Sequence, residues 1–166
     1  MPVRDRLPIS GYASLFGSPD LSGDIVFSGA FRDALRRRGV NGVRMLFQHD
    51  PSEPIGRWTR FAEHERGLWC EGEVFFGVRR GRDVANLISA RGLDGLSIGF
   101  RTLQAHKSVS GRRIAAIDLW EISVVTFPMH PEARIRRVDD PARMISRTRI
   151  APDVVGALAQ LQGSMA

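Results

Sequence analysis

Residues 112–127, RRIAAIDLWEISVVTF, form a long stretch rich in Ile and Val that is broken by Asp118 and Glu121. Branched side chains suit a pleated, half-buried surface better than a helix, so the stretch predicts a strand. On a continuous strand Glu121 shares a side with Ile117, Leu119, Val125 and Phe127, and Asp118 takes the other. A carboxylate in an apolar row loses its hydration and needs a cation or a hydrogen-bond donor as partner. An imidazolium or an arginine meets that need.

Upstream, residues 93–103 read LDGLSIGFRTL. Leu96, Ile98 and Phe100 fall on one face of a second strand, which leaves Ser97, Gly99 and Arg101 on the other. Before it, RDVANLISARG has Val84, Leu87 and Ile88 at helical spacing and Gly92 as its stop. Two further strands, IGRWTRF and LWCEGEVFF, flank the polar AEHERG and suggest an antiparallel hairpin. GVRMLFQ places Val43, Met45 and Phe47 at period two and runs straight into His49, so His49 is expected at a strand end. In SGAFRDALRRRG, Ser28 can cap a short helix that Gly39 terminates. PISGYASLFG alternates as a first strand.

Short strands with two interleaved helices predict a compact, β-rich α+β domain and disfavour a parallel doubly wound sheet. The composition shifts after PMHPEARI, which places a boundary near residue 138: a domain over 1–138 and a basic tail over 139–166 whose VVGALAQLQ suggests a terminal helix. The chain has no run of about 18 apolar residues, and MPVRDRLPIS lacks the apolar core of a signal peptide. A soluble cytoplasmic protein without membrane contact is expected. Cys70, the only cysteine, lies inside an apolar run and reads as a core residue. Of 24 basic residues all but Lys107 are arginine, scattered along the chain. That distribution does not mark nucleic-acid binding as the main function.

A serine hydroxyl is too weakly acidic to attack an amide unaided; it needs an imidazole within hydrogen-bond reach and usually a third group behind it. Of the four histidines, His64, His106 and His130 lie in polar connections, whereas His49 follows an apolar strand directly. Ser97 sits between Gly95 and Gly99 in GLSIGF, where backbone and substrate can approach closely. Glu121 is the best third member, with Asp50 and Asp118 as competitors and an arginine ion pair as the structural alternative. Backbone amides near Ser97, with Arg101 or Arg134, are candidates for holding an oxyanion. There is no nucleophile elbow, phosphate loop or dinucleotide fingerprint, and no ligand cluster for a metal; no cofactor is expected.

The strings GYASLFG, GDIVFSGAF, LFQHD with IGRW after it, GLDGLSIGF and DLWEISVVTFPMHPEA occur in that order. From about residue 11 to 135 the chain thereby resembles the tailed-phage prohead maturation proteases, which are similar in fold to the herpesvirus assemblins. The resemblance implies a compact, β-barrel-like antiparallel domain flanked by helices and a serine endopeptidase with His49, Ser97 and Glu121 as its catalytic residues. His130, where many relatives carry asparagine, is a departure and a rival third group. It further implies a major capsid protein, or its scaffold segment, as substrate, with the chain itself as a second substrate, a homodimer as assembly state, and the immature head inside the bacterial host as location. The alternatives are a non-catalytic capsid scaffolding protein and a basic domain that binds nucleic acid.

Overall fold

A computed structural model describes residues 5–139; the expected terminal helix and residues 140–166 of the expected tail lie outside them. The described chain forms strands β1 (Arg6–Leu15), β2 (Ile25–Val26), β3 (Arg44–Phe47), β4 (Asp50–His64), β5 (Gly67–Phe75), β6 (Gly95–Ser108), β7 (Gly111–Val125) and β8 (Ile135–Val138), with helices α1 (Arg32–Arg38) and α2 (Arg79–Ser89). No helix among the described residues is long and apolar enough to cross a membrane.

The strands follow one circuit, β7-β3-β4-β5-β1-β8, with β6 on the free edge of β7. A bridge between Gly95 and Arg134, with bonds from Leu96 N–H to the Ala133 carbonyl (2.9 Å) and from Ile135 N–H to the Asp94 carbonyl (2.8 Å), joins the β8 end back to β6. Closure of this kind leaves few unpaired edges and encloses a core that includes Trp58, Leu7, Met45, Ile55, Leu96 and Ile122, each at most 2% exposed.

The sheet is mixed rather than wholly antiparallel. β2 and β3 both run parallel to β7 and divide one of its edges, β2 taking Arg113 and Ile114 and β3 taking Glu121 to Val124. α1 lies between them in sequence as a crossover, the connection that parallel strands require. The opposite edge of β7 pairs with β6 along almost its whole length.

Both helices form where expected, with different ends. Ser28 makes no capping bond to α1; instead the Glu63 carboxylate, reaching across from β4, accepts the amides of Gly29 (3.1 Å) and Phe31 (3.0 Å). Gly39, at φ 61°, ends the helix as anticipated, its amide bonding the Leu35 carbonyl. In α2, Val84, Ala85 and Ile88 face the core, but Leu87 is 47% exposed. The left-handed residue after that helix is Arg91 at φ 60°, not Gly92, whose amide returns to the Leu87 carbonyl at 2.8 Å. β8 had no counterpart in the sequence reading. Its short IRRV segment pairs with β1 and lacks a buried row of its own.

Cys70 is fully buried, and desolvation pushes its thiol pKa upward, as befits an inert core residue. Replacing Glu63 with alanine removes charge-assisted bonds to two amides and is expected to lower stability by about 1–3 kcal/mol. Glu65→Ala, exposed in the turn that follows β4, should change it by less than about 0.5 kcal/mol. Urea denaturation of the two variants checks the difference.

Candidate active site

β6 and β7 bring Ser97 and Glu121 onto one face by register. Ser97 pairs with Ser123 and Gly99 with Glu121, but Phe100 pairs with Leu119, so Trp120 is left without a partner. This is a β-bulge, and it reverses the facing of everything beyond it. Ile117 and Leu119 are buried on one side of the irregularity and Ile122 and Val124 on the other. Over residues 117–119 the odd-numbered aliphatics therefore point into the core, and after the bulge the even-numbered ones do. Glu121 leaves the apolar row to which a continuous strand would have assigned it.

Its carboxylate lies over Gly99. A Cβ at position 99 would collide with Glu121 Oε1 and Cδ, so glycine is needed there for the carboxylate to reach across the strand pair. The side chain is 12% exposed, and Oε1 accepts a hydrogen bond from His49 Nδ1 at 2.5 Å. Oε2 accepts from the Ser123 hydroxyl at 2.6 Å. No arginine is ion-paired with Glu121 among the described residues, which disposes of the expected structural alternative.

His49 does not end a strand; it occupies a two-residue turn. Phe47 pairs with Asp50 across the β3–β4 hairpin, and the intervening Gln48 and His49 have φ of 53° and 60°. Two positive values are the signature of the tight hairpin turn that matches strand twist, a place normally given to Asn-Gly. With Gln and His there the turn is strained, and neighbouring bonds hold it. Gln48 N–H donates to the Val124 carbonyl at 3.0 Å. The Gln48 amide donates to Thr126 Oγ1 (2.6 Å) and accepts from Thr126 N–H (3.2 Å). His49 N–H donates to Ser123 Oγ (3.1 Å). On the other flank Arg80 of α2 lies over the Phe47 ring and donates to Glu53 (3.1 Å).

The His49 ring is 43% exposed. With Nδ1–H given to Glu121, the neutral ring keeps its lone pair on Nε2, which bonds no described residue. Ser97, 4% exposed, lies one strand away through its Ser123 partner. Ser97 Oγ and His49 Nε2 share no hydrogen bond here, and such contacts commonly tighten only when substrate is bound.

The competitors are engaged elsewhere. Asp118 holds Arg38 (3.0 Å) and Arg37 (3.2 Å) and accepts from the Trp120 indole (2.9 Å). Those contacts, Arg38 foremost, bring its pKa down to about 2. Asp50 accepts from the amide and hydroxyl of Ser52. His130 clips a loop: its Nδ1 accepts from Glu132 N–H (3.3 Å), and Nε2 faces Ser18 Oγ at 2.9 Å. Burial lowers its pKa and favours the neutral ring. Arg134 binds Asp94 (2.5 Å) and the Pro131 carbonyl (2.9 Å), while Arg101 approaches Asp118 at 3.7 Å. Neither arginine is free of another partner. A cavity beside the site has Leu96, Ser97, Met129 and His130 in its wall. Among the described residues no His, Cys, Asp or Glu cluster suits a metal ion.

The hydrogen bond donated to Glu121, reinforced by the carboxylate charge and opposed by partial burial, raises the pKa of His49. A raised folded value means that the pairing stabilises the fold fully below the unfolded imidazole pKa, about 6.5. That contribution is lost as pH rises through the folded value. Glu121→Gln, and equally Gly99→Ala by displacing the carboxylate, should bring the His49 titration down toward the ordinary value. An NMR titration of the imidazole Cε1–H resonances reads the shift, and an unmoved midpoint in both variants would refute the pairing.

The profile of the caudovirus prohead serine proteases matches residues 3–147. The prohead protease of Enterobacteria phage HK97 is 36% identical over 129 residues, 75% of this chain and 57% of the relative. That of Escherichia phage T5 is 32% identical over 129 residues, 75% and 60% respectively. The chain thus spans somewhat more than half the length of the curated relatives it matches. Among solved structures, KSHV protease in complex with a hexapeptide phosphonate inhibitor superposes with a TM-score of 0.53 at 13% identity, covering 97% of this chain and 78% of that one. Varicella-zoster virus protease gives 0.50 at 15% identity, with the same two coverages. At such identities the likeness is one of fold, and it bears out the assemblin-like α+β architecture, while the match over residues 3–147 shows that the chain belongs to the caudovirus prohead serine protease family.

Proposed function

We propose that the chain is a serine endopeptidase in which Ser97 is the nucleophile, His49 the general base and Glu121 the group that orients and charge-stabilises the imidazole. The observation that carries this reading is the bond from His49 Nδ1–H to a largely buried carboxylate. It fixes the tautomer whose free lone pair is on Nε2. Nε2 takes the Ser97 proton as Oγ bonds to the scissile carbonyl carbon, and the carbonyl electrons move to the oxygen. The resulting imidazolium is held by Glu121 and gives its proton to the leaving amine as the C–N bond breaks. Water, deprotonated in turn by His49, then attacks the acyl carbon, and His49 gives that proton to Ser97 Oγ as the ester C–O bond breaks. Donors for the oxyanion come from the backbone amides around Ser97 or from Arg101 or Arg134, whose guanidinium groups keep further N–H donors beside their ion pairs.

The substrate in this reading is a major capsid protein, or the scaffold segment attached to it, cut inside the immature head, with the chain itself as a second target. Cleavage makes maturation irreversible in a way that reversible binding does not. A homodimer belongs to the same reading, and sedimentation velocity distinguishes it from a monomer.

Co-expression of the wild-type chain and of Ser97→Ala with the cognate capsid protein, followed by intact mass, tests the function. Wild type should shorten the capsid protein and Ser97→Ala should not. Loss of Ser97 or His49 should cost about 10⁴-fold or more in rate, and Glu121→Gln on the order of 10³- to 10⁴-fold. Equal, unprocessed masses with normal assembly would instead establish the non-catalytic scaffolding role.

A further inference from the structure

Ser123 touches every member of the proposed site and has no part in the mechanism above. It is 0% exposed and lies two residues beyond Glu121 on β7, after the bulge, so both side chains share a face. Its hydroxyl uses both of its capacities. The proton goes to Glu121 Oε2 at 2.6 Å, and a lone pair accepts the His49 amide at 3.1 Å. Its backbone is the register partner of Ser97 on one side and of Leu46 on the other.

These bonds close a ring: His49 N–H to Ser123 Oγ, Ser123 O–H to Glu121 Oε2, and Glu121 Oε1 back to His49 Nδ1–H. Each component restrains a freedom that the others leave open. The terminal torsion of a glutamate is broad, so a carboxylate anchored at one oxygen turns easily, whereas one anchored at both keeps its plane. The imidazole is likewise held at its ring and at its backbone, and that backbone is in a conformation a non-glycine residue adopts only when neighbours enforce it.

We propose that Ser123 is a positioning residue for acyl transfer, one that fixes the plane of the Glu121 carboxylate and the turn carrying His49 together. It touches no reacting atom and acts through those two side chains. A buried serine that merely satisfied its own hydroxyl would affect stability and leave the imidazole and the chemical step unchanged. The inference rests on the serine-protease reading for its kinetic consequence, but its consequence for His49 is independent of activity.

The test uses the full chain carrying Ser123→Ala, with Glu121→Gln and Ser97→Ala as references. NMR titration of His49 is done in the Ser97→Ala background to prevent self-cleavage. Expected are a His49 midpoint lowered by part of the Glu121→Gln shift and, on the capsid substrate, a kcat reduced about 10- to 100-fold with KM little changed, the scale of a small misplacement of catalytic groups. If the alanine variant does not fold, Ser123→Cys fills the site with a much weaker donor and should move both readouts the same way. A His49 midpoint and kcat equal to wild type in a folded variant would overturn the proposal. Failure of the protease reading shows differently: Ser97→Ala would still cleave, or wild type would not, whereas the His49 titration would still report whether Ser123 holds the ring.

Discussion

β7 is bonded along both edges, to β6 on one and to β2 and β3 on the other, and this double occupancy fixes where every candidate group lies. A strand paired on both sides cannot slide without breaking two ladders, so its register is strongly specified. Within that register one unpaired residue, Trp120, transfers Glu121 from the core face to the face shared with Ser97 and Ser123. A β6–β7 pairing without the bulge would point the carboxylate at Ile117 and Leu119, where it would have no donor. The bulge itself is tied down, because the Trp120 indole bonds Asp118 and Asp118 anchors the arginines that end α1. Bulges next to functional groups commonly re-aim a side chain in this way.

The β3–β4 turn depends on the same strand. Gln48 and His49 adopt left-handed backbone conformations, and their restraining bonds end on Ser123 and Val124 at the end of β7 and on Thr126 just beyond it. A glycine in either place would relieve the strain, but at 49 it would also remove the imidazole. β7 thus supplies the carboxylate, the hydroxyl that links carboxylate to turn, and the acceptors that keep the turn closed.

Much of this was legible in sequence, and what was not has a local physical cause. Strand and helix positions followed from periodicity, and the juxtaposition of His49 with Glu121 was anticipated, the former from its place after an apolar strand and the latter from the awkwardness of a carboxylate among aliphatics. On an unbroken strand, however, Glu121 belongs to the apolar row, and only a bulge, which alternation alone does not reveal, takes it out. β2 escaped because a strand of two residues has no period to read, and the parallel pairing of β3 with β7 escaped because alternation gives the faces of a strand and not its neighbours. Glu63 as the cap of α1 is a contact across 32 and 34 residues of sequence, beyond any local rule. Ser123 went unnoticed because its value is relational. A serine in a strand is unremarkable until Glu121 and His49 are seen to share its hydroxyl.

Folding stability does not account for this concentration of constraints. His49 is nearly half exposed, and ion pairs open to solvent contribute little, about 0–1 kcal/mol. Against that small return stand two strained backbone positions, each costing on the order of 1 kcal/mol or more, a carboxylate drawn out of water, and a glycine in the middle of a strand. A hydrophobic residue at 121 with an Asn-Gly turn at 48–49 would relieve all of these costs at once. Features that cost stability and converge on one imidazole are understood as maintained for what the imidazole does, because a fold optimised only for its own stability has no reason to retain them. The net cost falls where the proposed chemistry needs rigidity: at the orientation of a half-exposed ring whose free nitrogen must meet the Ser97 hydroxyl.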